Sequence, residues 1–246
     1  MSWRLPERIT ACLFDLDGVI TRTAEVHAAA WKEMFDGFLR RRAEEGGSPF
    51  VPFDAVDDYD NFVDGRPRLE GTRHFLRSRG ISLPEGSPDD PPGTPTVHGL
   101  SNLKNDLVLA RIRRDGVAVY PGSLRFLEEV RRRGLRTAVV SSSANTLDVL
   151  RAVDLEAMFD VRVDGVVAAA EHLTGKPAPD TFLAAARRLG VAPEAGAVFE
   201  DALAGVEAGR AGGFGLVVGV DRVGQAEALA AHGADLVVTD LAELIA

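Results

Sequence analysis

The sequence predicts an α/β fold: a doubly wound, mostly parallel sheet with a Rossmann-like core and an α-helical insertion. Three observations predict it. A short apolar run at residues 11–14 ends abruptly in Asp15-Leu16-Asp17-Gly18, as a buried strand ends in a turn. Residues 23–118 then contain helical spacing and loop signals but no convincing strand. From Pro121 onward, short apolar runs alternate with helical stretches, the rhythm of parallel strands joined by helices on both faces. The expected division is therefore an α/β core of residues 1–22 and 119–246, interrupted by a helical cap of residues 23–118.

Period-two geometry places Asp15 and Asp17 on one side of the chain and Leu16 on the other, and Gly18 permits a sharp turn. Val26, Ala29, Ala30, Met34 and Phe38 recur at helical spacing over residues 23–42, and Gly46-Gly47-Ser48-Pro49 breaks that helix. The Arg40-Arg41-Arg42 run reads as a solvated helix end. Pro67 suits the first turn of a helix over 68–79 that stops at Gly80. Residues 83–97, rich in Pro, Gly and Asp, read as a long surface loop, and a third helix is expected from about 100 to 115. In the second half, helices are expected over 124–133, 145–153, 177–189 and 202–211, with strands at 136–140, 161–163, 197–199, 215–220 and 236–238.

Composition narrows the class. The chain has 246 residues, 46% hydrophobic and 26% charged, enough for a sizeable core in an ordinary globular protein. A net charge of −9 argues against a nucleic-acid binder that relies on bulk positive charge. Cys12 is the single cysteine; it excludes an intrachain disulfide and reads as a small core residue rather than a nucleophile. No apolar run is long enough to cross a bilayer, and residues 1–10 lack the pattern of a signal peptide, so no membrane partner and a cytoplasmic location are expected.

Four motifs carry the chemistry. Asp15 and Asp17 would repel each other unless a cation sat nearby, and oxygen-only ligands of this kind suit magnesium; an acidic turn is the alternative. Ser141-Ser142-Ser143-Ala144-Asn145 follows a strand and can cradle phosphate with hydroxyl and N–H groups. Ser143 or Asn145 also serves as a helix N-cap, and taken alone the stretch reads as one. Lys176, held before Pro177 in Thr174-Gly175-Lys176-Pro177, could offset charge on a phosphoryl group and its acceptor, or be merely solvated. Glu200-Asp201 after residues 198–199 repeats the logic of the first motif, although acids are common at helix starts. All four are expected at or just beyond strand ends.

In this order and spacing, the motifs closely resemble those of the haloacid dehalogenase superfamily of phosphotransferases, over essentially the whole chain. The resemblance implies an aspartyl nucleophile at Asp15, an acid/base at Asp17, a phosphoryl-holding Ser141 and a stabilising Lys176. It implies Mg2+ bound by Asp15, the backbone carbonyl of Asp17, and Asp201, with Glu200 in support. Covalent transfer through a carboxylate divides one difficult step into two.

Within the superfamily, Val19-Ile20-Thr21-Arg22-Thr23-Ala24-Glu25-Val26-His27 with Trp31 resembles the β-phosphoglucomutase subfamily. That similarity implies a gating role for His27 and a part for Thr23 in positioning Asp17. Asp64-Gly65-Arg66-Pro67-Arg68 resembles the cap loop whose arginine, here Arg68, grips the second phosphate. Lys104 and Asn105 match a substrate contact on the cap, Ser143 and Asn145 match residues that help bind the phosphate on the sugar's far side, and Ser142 joins them as a substrate-binding residue. Trp31 reads equally as cap core or as a shield for substrate; Lys104 has a solvated helix residue as its alternative. Arg22 stands where the subfamily carries an acid, Ala144 where it carries a lysine, and Gly71 where it carries a serine.

The function implied is isomerisation of β-D-glucose 1-phosphate to glucose 6-phosphate through an aspartyl-phosphate enzyme and β-glucose 1,6-bisphosphate, by a monomer acting on a small phosphorylated sugar. A magnesium-dependent sugar-phosphate phosphatase is the alternative from the same superfamily. A phospho-acceptor signalling module is the alternative from another class; such modules are shorter and lack both the second carboxylate and a cap of this size.

Overall fold

A computed structural model describes residues 3–46 and 49–245; Gly47 and Ser48 of the expected helix break lie outside the described residues. The chain forms two compact units, Met1–Arg22 with Val117–Ala246, and Thr23–Gly116.

The first unit is built on six strands: β1 (Ala11–Phe14), β2 (Arg136–Val140), β3 (Val161–Val163), β4 (Gly196–Glu200), β5 (Leu216–Val220) and β6 (Leu236–Val238). They pair in the order β3-β2-β1-β4-β5-β6, every pair parallel. The central strands are buried along their length and apolar up to Glu200 at the end of β4, as strands covered by helices on each side must be. One face packs Leu13, Val140, Val198 and Val217 with Phe182 and Val206. On the other, the Phe14 ring stacks on Phe199 with centroids 4.7 Å apart and meets Phe126 edge-on at 6.0 Å. Burial of large aromatic rings dominates such a core.

This strand order reverses at β1, where the chain continues outward first on one side and then on the other. The crevice beyond the carboxyl ends at such a reversal collects ligands. Register makes the location specific: Phe14 pairs with Val139 on one side and Phe199 on the other. Asp15 is thereby brought level with the ends of β2 and β4 and with the residues just beyond those ends.

The helices of this unit are α4 (Pro121–Arg132), α5 (Thr146–Ala152), α6 (Gly165–Ala170), α7 (Asp180–Leu189), α8 (Leu203–Ala211) and α9 (Ala226–Ala231). Those of the second unit are α1 (Thr23–Glu44), α2 (Arg68–Ser78) and α3 (Val97–Asp115), with a π-helical turn at Tyr59–Val63. No described residue of the second unit lies in a strand. Its core is aromatic: Phe35 lies between Trp31, Phe53 and Phe75 at centroid distances of 5.3, 5.4 and 4.0 Å.

Several boundaries differ from the sequence expectation for local reasons. The α3 helix begins at Val97, not residue 100, because the Thr96 side chain accepts from Gly99 N at 2.9 Å and caps it. The preceding loop is tied back to this helix: Val97 N donates to Pro84 O at 3.0 Å, and Asn102 Nδ2 to Pro88 O and Asp90 O, each at 3.0 Å. The α4 helix begins at Pro121 itself, the first-turn position where a missing N–H costs nothing. The α7 helix starts at Asp180 rather than residue 177. Both α6 and α9 are six-residue helices rich in alanine, too short to show a period.

Candidate active site

The site in the first unit begins where β1 stops. Asp15 N donates to Phe199 O at 2.9 Å, which continues the ladder by one residue and leaves the Asp15 carboxylate at the edge of the sheet. The strand itself has ended at Phe14, so a tight loop rather than strand alternation sets the Asp15–Asp17 relationship. In that loop Leu16 O accepts from Ile20 N, Thr21 N and Thr21 Oγ1 at 3.0, 2.9 and 3.1 Å. Leu16 is fully buried, Asp15 is buried and Asp17 is partly exposed.

Gly18 is fixed by sterics. Its φ of 90° lies in the left-handed region that favours glycine. A Cβ there would stand 1.7 Å from Asp201 Oδ2. The two acidic motifs thus meet: Asp15, Glu200 and Asp201 offer carboxylate oxygens all within 4.8 Å of one another, and all three residues are buried. Gly205 serves in the same way on the far side, since a Cβ there would lie 1.8 Å from Glu200 Oε1. The other Glu200 oxygen accepts from Ala202 N at 3.1 Å.

A buried lysine answers these acids. Lys176 Nζ stands 2.5 Å from both Asp15 Oδ1 and Glu200 Oε1 and donates to Val140 O at 3.0 Å, with its side chain 1% exposed. The solvated alternative for Lys176 is therefore excluded. So is its expected place at a strand end: Lys176 lies between α6 and α7 and reaches back to the end of β2. Burial by itself would lower the Lys176 ammonium, but the Asp15 and Glu200 carboxylates outweigh it and hold it above its ordinary value. The Asp15 carboxyl is pushed well above the usual range, first by burial and then by Glu200 and Asp17, against the lowering effect of Lys176. Three carboxylates around one ammonium leave an excess of negative charge in a dry place, which a hard divalent cation relieves.

The serine motif adjoins these acids. Ser141 Oγ donates to Asp17 Oδ2 at 3.3 Å and accepts from Ser143 N at 3.1 Å. Asn145 occupies the N-cap position of α5 without a capping bond from its side chain. The Ser143 hydroxyl instead accepts from Asn145 N at 3.2 Å. Neither residue makes the cap bond that the stretch suggests by itself; Ser142, Ser143 and Asn145 stay partly exposed just past β2. Cys12 is fully buried in β1 and burial pushes its thiol up, as expected of a core residue.

The second unit gathers a different set. Lys104 is buried, with Nζ 3.0 Å from His27 Nδ1 and 4.7 Å from the centre of the Trp31 ring, which corrects the solvated alternative. Cation–π attraction of this kind is worth about 0.5–2 kcal/mol. Trp31 is both core, stacked on Phe35, and a wall for this ammonium. Arg68, the first residue of α2, donates through Nη1 to Asn105 Oδ1. Its buried Nε has no hydrogen-bond partner among the described residues, and burial lowers the guanidinium, with Asp106 opposing. Thr23 is buried as the first residue of α1.

Two departures from the subfamily acquire reasons. A Cβ on Gly71 would lie 3.3 Å from Trp31 Cζ2 and from Val63 Cα, so glycine lets α2 pack closely there. Arg22 lies over the Tyr120 ring at 5.0 Å. Sequence reasoning missed Gly205 and also Arg222, which binds the 18–19 backbone. Arg222 stands two residues past the end of β5, on the edge where ligands collect, and that position was the available signal.

Known proteins similar to this chain share one family. The sequence profile described as haloacid dehalogenase-like hydrolase matches residues 9–213. A β-phosphoglucomutase of Mycobacterium tuberculosis is 58% identical over 244 residues, covering 98% of this chain and 93% of its own length. A phosphorylated carbohydrates phosphatase of Thermotoga maritima is 29% identical, covering 85% of this chain and 84% of its own. The crystal structure of a β-phosphoglucomutase from Clostridium difficile is similar with a TM-score of 0.75 at 27% identity, covering 96% of this chain and 93% of that one. The chain belongs to the haloacid dehalogenase-like hydrolase family, in its β-phosphoglucomutase-like branch.

Proposed function

We propose that this protein is a β-phosphoglucomutase, isomerising β-D-glucose 1-phosphate to glucose 6-phosphate through an aspartyl-phosphate enzyme and β-glucose 1,6-bisphosphate. In this reading the α/β unit is the phosphotransferase core and the helical unit its cap. The observation that carries it is two cations in the inserted unit, the partly buried Arg68 on Asn105 and the buried Lys104 beside His27. A bisphosphate needs a second anion site besides the one where phosphorus is attacked, and a phosphatase for small monoesters has less need of one. The M. tuberculosis relative of the same name supports it.

Asp15 is the nucleophile. Lys176 fixes its carboxylate at 2.5 Å and would draw charge from the incoming phosphoryl oxygens. Asp17, oriented by Ser141 Oγ, donates a proton to the departing sugar oxygen and takes one from the attacking hydroxyl. Ser141 holds the transferring phosphoryl group at the edge of the sheet; Ser143 and Asn145, with Ser142 as a further substrate contact, help bind the phosphate on the sugar's far side, and Arg68, Lys104 and Asn105 are the helical unit's own substrate contacts. Thr23 and His27 take the positioning and gating roles that the family resemblance implies, and water must be kept from the aspartyl phosphate if it is to react with sugar instead.

The donor set fits Mg2+: oxygens only, mutually close, buried and in charge excess, with Gly18 giving the Asp201 carboxylate the room a Cβ would take. Asp15, the Asp17 carbonyl and Asp201 would hold it, with Glu200 in support. Bound there, Mg2+ supplies charge neutralisation for the transferring phosphoryl oxygens. We further take the protein to act as a cytoplasmic monomer, which light scattering and cell fractionation test.

A sugar-phosphate phosphatase is the second reading, favoured by the T. maritima relative. Phosphorus NMR separates the two. With Mg2+, β-glucose 1-phosphate and a trace of the 1,6-bisphosphate, the mutase yields glucose 6-phosphate with little free phosphate, and the α anomer stays unchanged. Free phosphate as the main product would establish the phosphatase.

A further inference from the structure

The loop that carries both catalytic aspartates contains its own weak point. Gly18 must be glycine, because the Asp201 carboxylate occupies the space of a Cβ. A glycine also leaves the peptide after Asp17 with the widest conformational freedom of any residue. Bonds within the loop fix only its amide side: Gly18 N donates to Thr21 O at 2.7 Å.

The carbonyl side is held by a residue far away in sequence. Arg222 donates from Nε to Gly18 O at 2.8 Å and from Nη2 to Val19 O at 3.3 Å. Its Nη1 donates to Thr239 O at 2.8 Å and its Nη2 also to Ser123 Oγ at 3.3 Å, while Ser123 Oγ donates to Val19 O at 2.7 Å. The guanidinium carbon lies over Tyr120, 3.6 Å from the ring centre. Tyr120 N in turn donates to Ile20 O at 3.0 Å. One planar fork therefore joins the loop to the strand that follows α9 and to the start of α4.

We propose that Arg222 is a positioning residue for the phosphotransfer reaction: by pinning the Gly18 and Val19 carbonyls it holds Asp17 where it can protonate the departing sugar oxygen. The inference rests on the mutase reading above. Lysine cannot substitute, because a single ammonium has neither the planar fork nor the flat face that Arg222 uses here. Ser123 supports the same carbonyl from below and is the second member of the clamp.

The dependence on leaving group tests this. A sugar oxygen is a poor leaving group and needs the acid; 4-nitrophenolate leaves without one. General acid assistance is worth about 10²–10⁴-fold. In Arg222→Met and Arg222→Lys, kcat for isomerisation of β-glucose 1-phosphate should fall about 10²-fold with KM within about threefold, a selective loss of transition-state stabilisation. First-turnover release of 4-nitrophenolate from 4-nitrophenyl phosphate, with Mg2+ present, should stay within about threefold of the unmodified enzyme. In an Asp17→Asn background, Arg222→Lys should add nothing further, since both act through one group. Equal loss of isomerisation and of the aryl burst, or full retention of isomerisation, would overturn the role of Arg222. If Arg222→Met does not fold, Arg222→Lys carries the test. Failure of the unmodified enzyme to isomerise the sugar would instead overturn the mutase reading.

Discussion

The two units hold their cations in opposite ways. In the α/β unit Lys176 is pinned between carboxylates, 2.5 Å from each of Asp15 and Glu200, with Asp201 beside them. In the helical unit Lys104 lies against a histidine nitrogen and an indole face, and Arg68 against the Asn105 amide oxygen. The first arrangement is negative overall and calls for a cation; the second is positive and calls for an anion. Phosphoryl transfer between two ends of one sugar needs both kinds of place.

The contrast is broken most severely at Asp15. Asp15→Asn should lower isomerisation and aryl phosphate hydrolysis together by about 10⁴-fold or more while the circular dichroism spectrum is kept. Residual turnover near that of the unmodified enzyme would remove Asp15 as nucleophile. Next comes Lys176→Met, which strands two buried carboxylates. Denaturant unfolding should show a loss of about 3–5 kcal/mol, partly recovered by Mg2+. An unchanged midpoint would mean that the acids do not depend on Lys176.

Arg68→Ala sharpens the comparison from the other unit. Isomerisation should fall about 10²-fold and hydrolysis of 4-nitrophenyl phosphate less than about threefold, because only the bisphosphate uses the second anion site. Proportionate losses would take Arg68 out of that site. The smallest effect belongs to Cys12→Ala: activity unchanged and stability lower by about 1 kcal/mol. A large loss of activity would contradict the reading of Cys12 as core.

Much of this was legible in the sequence because apolar runs and the acids that end them are contiguous. Asp15, Asp17, Glu200 and Asp201 announce themselves as breaks in β1 and β4. The parallel order of six strands follows from alternation of strand and helix. Lys176 was legible as a residue but not as a place, since its position depends on a six-residue helix, α6, too short to show a period. The same holds for α9. Arg222 was legible only by its place two residues past β5, because the carbonyls it binds come from another segment, and Gly205 only as part of the small-residue turn after Glu200-Asp201. Lys104 shows the limit from the other side, for helical spacing alone does not say which lysine lies against a tryptophan.

On this reading the α/β unit moves phosphoryl groups through Asp15. The most direct measurement is acid quench of the enzyme in the first turnover with β-glucose 1,6-bisphosphate and Mg2+, followed by peptide mass spectrometry. The account predicts one acid-stable, base-labile phosphoryl group on the peptide containing Asp15, absent without Mg2+ and absent in Asp15→Asn. A phosphoryl group found on Ser141 or another side chain, with Asp15 unmodified, would contradict it.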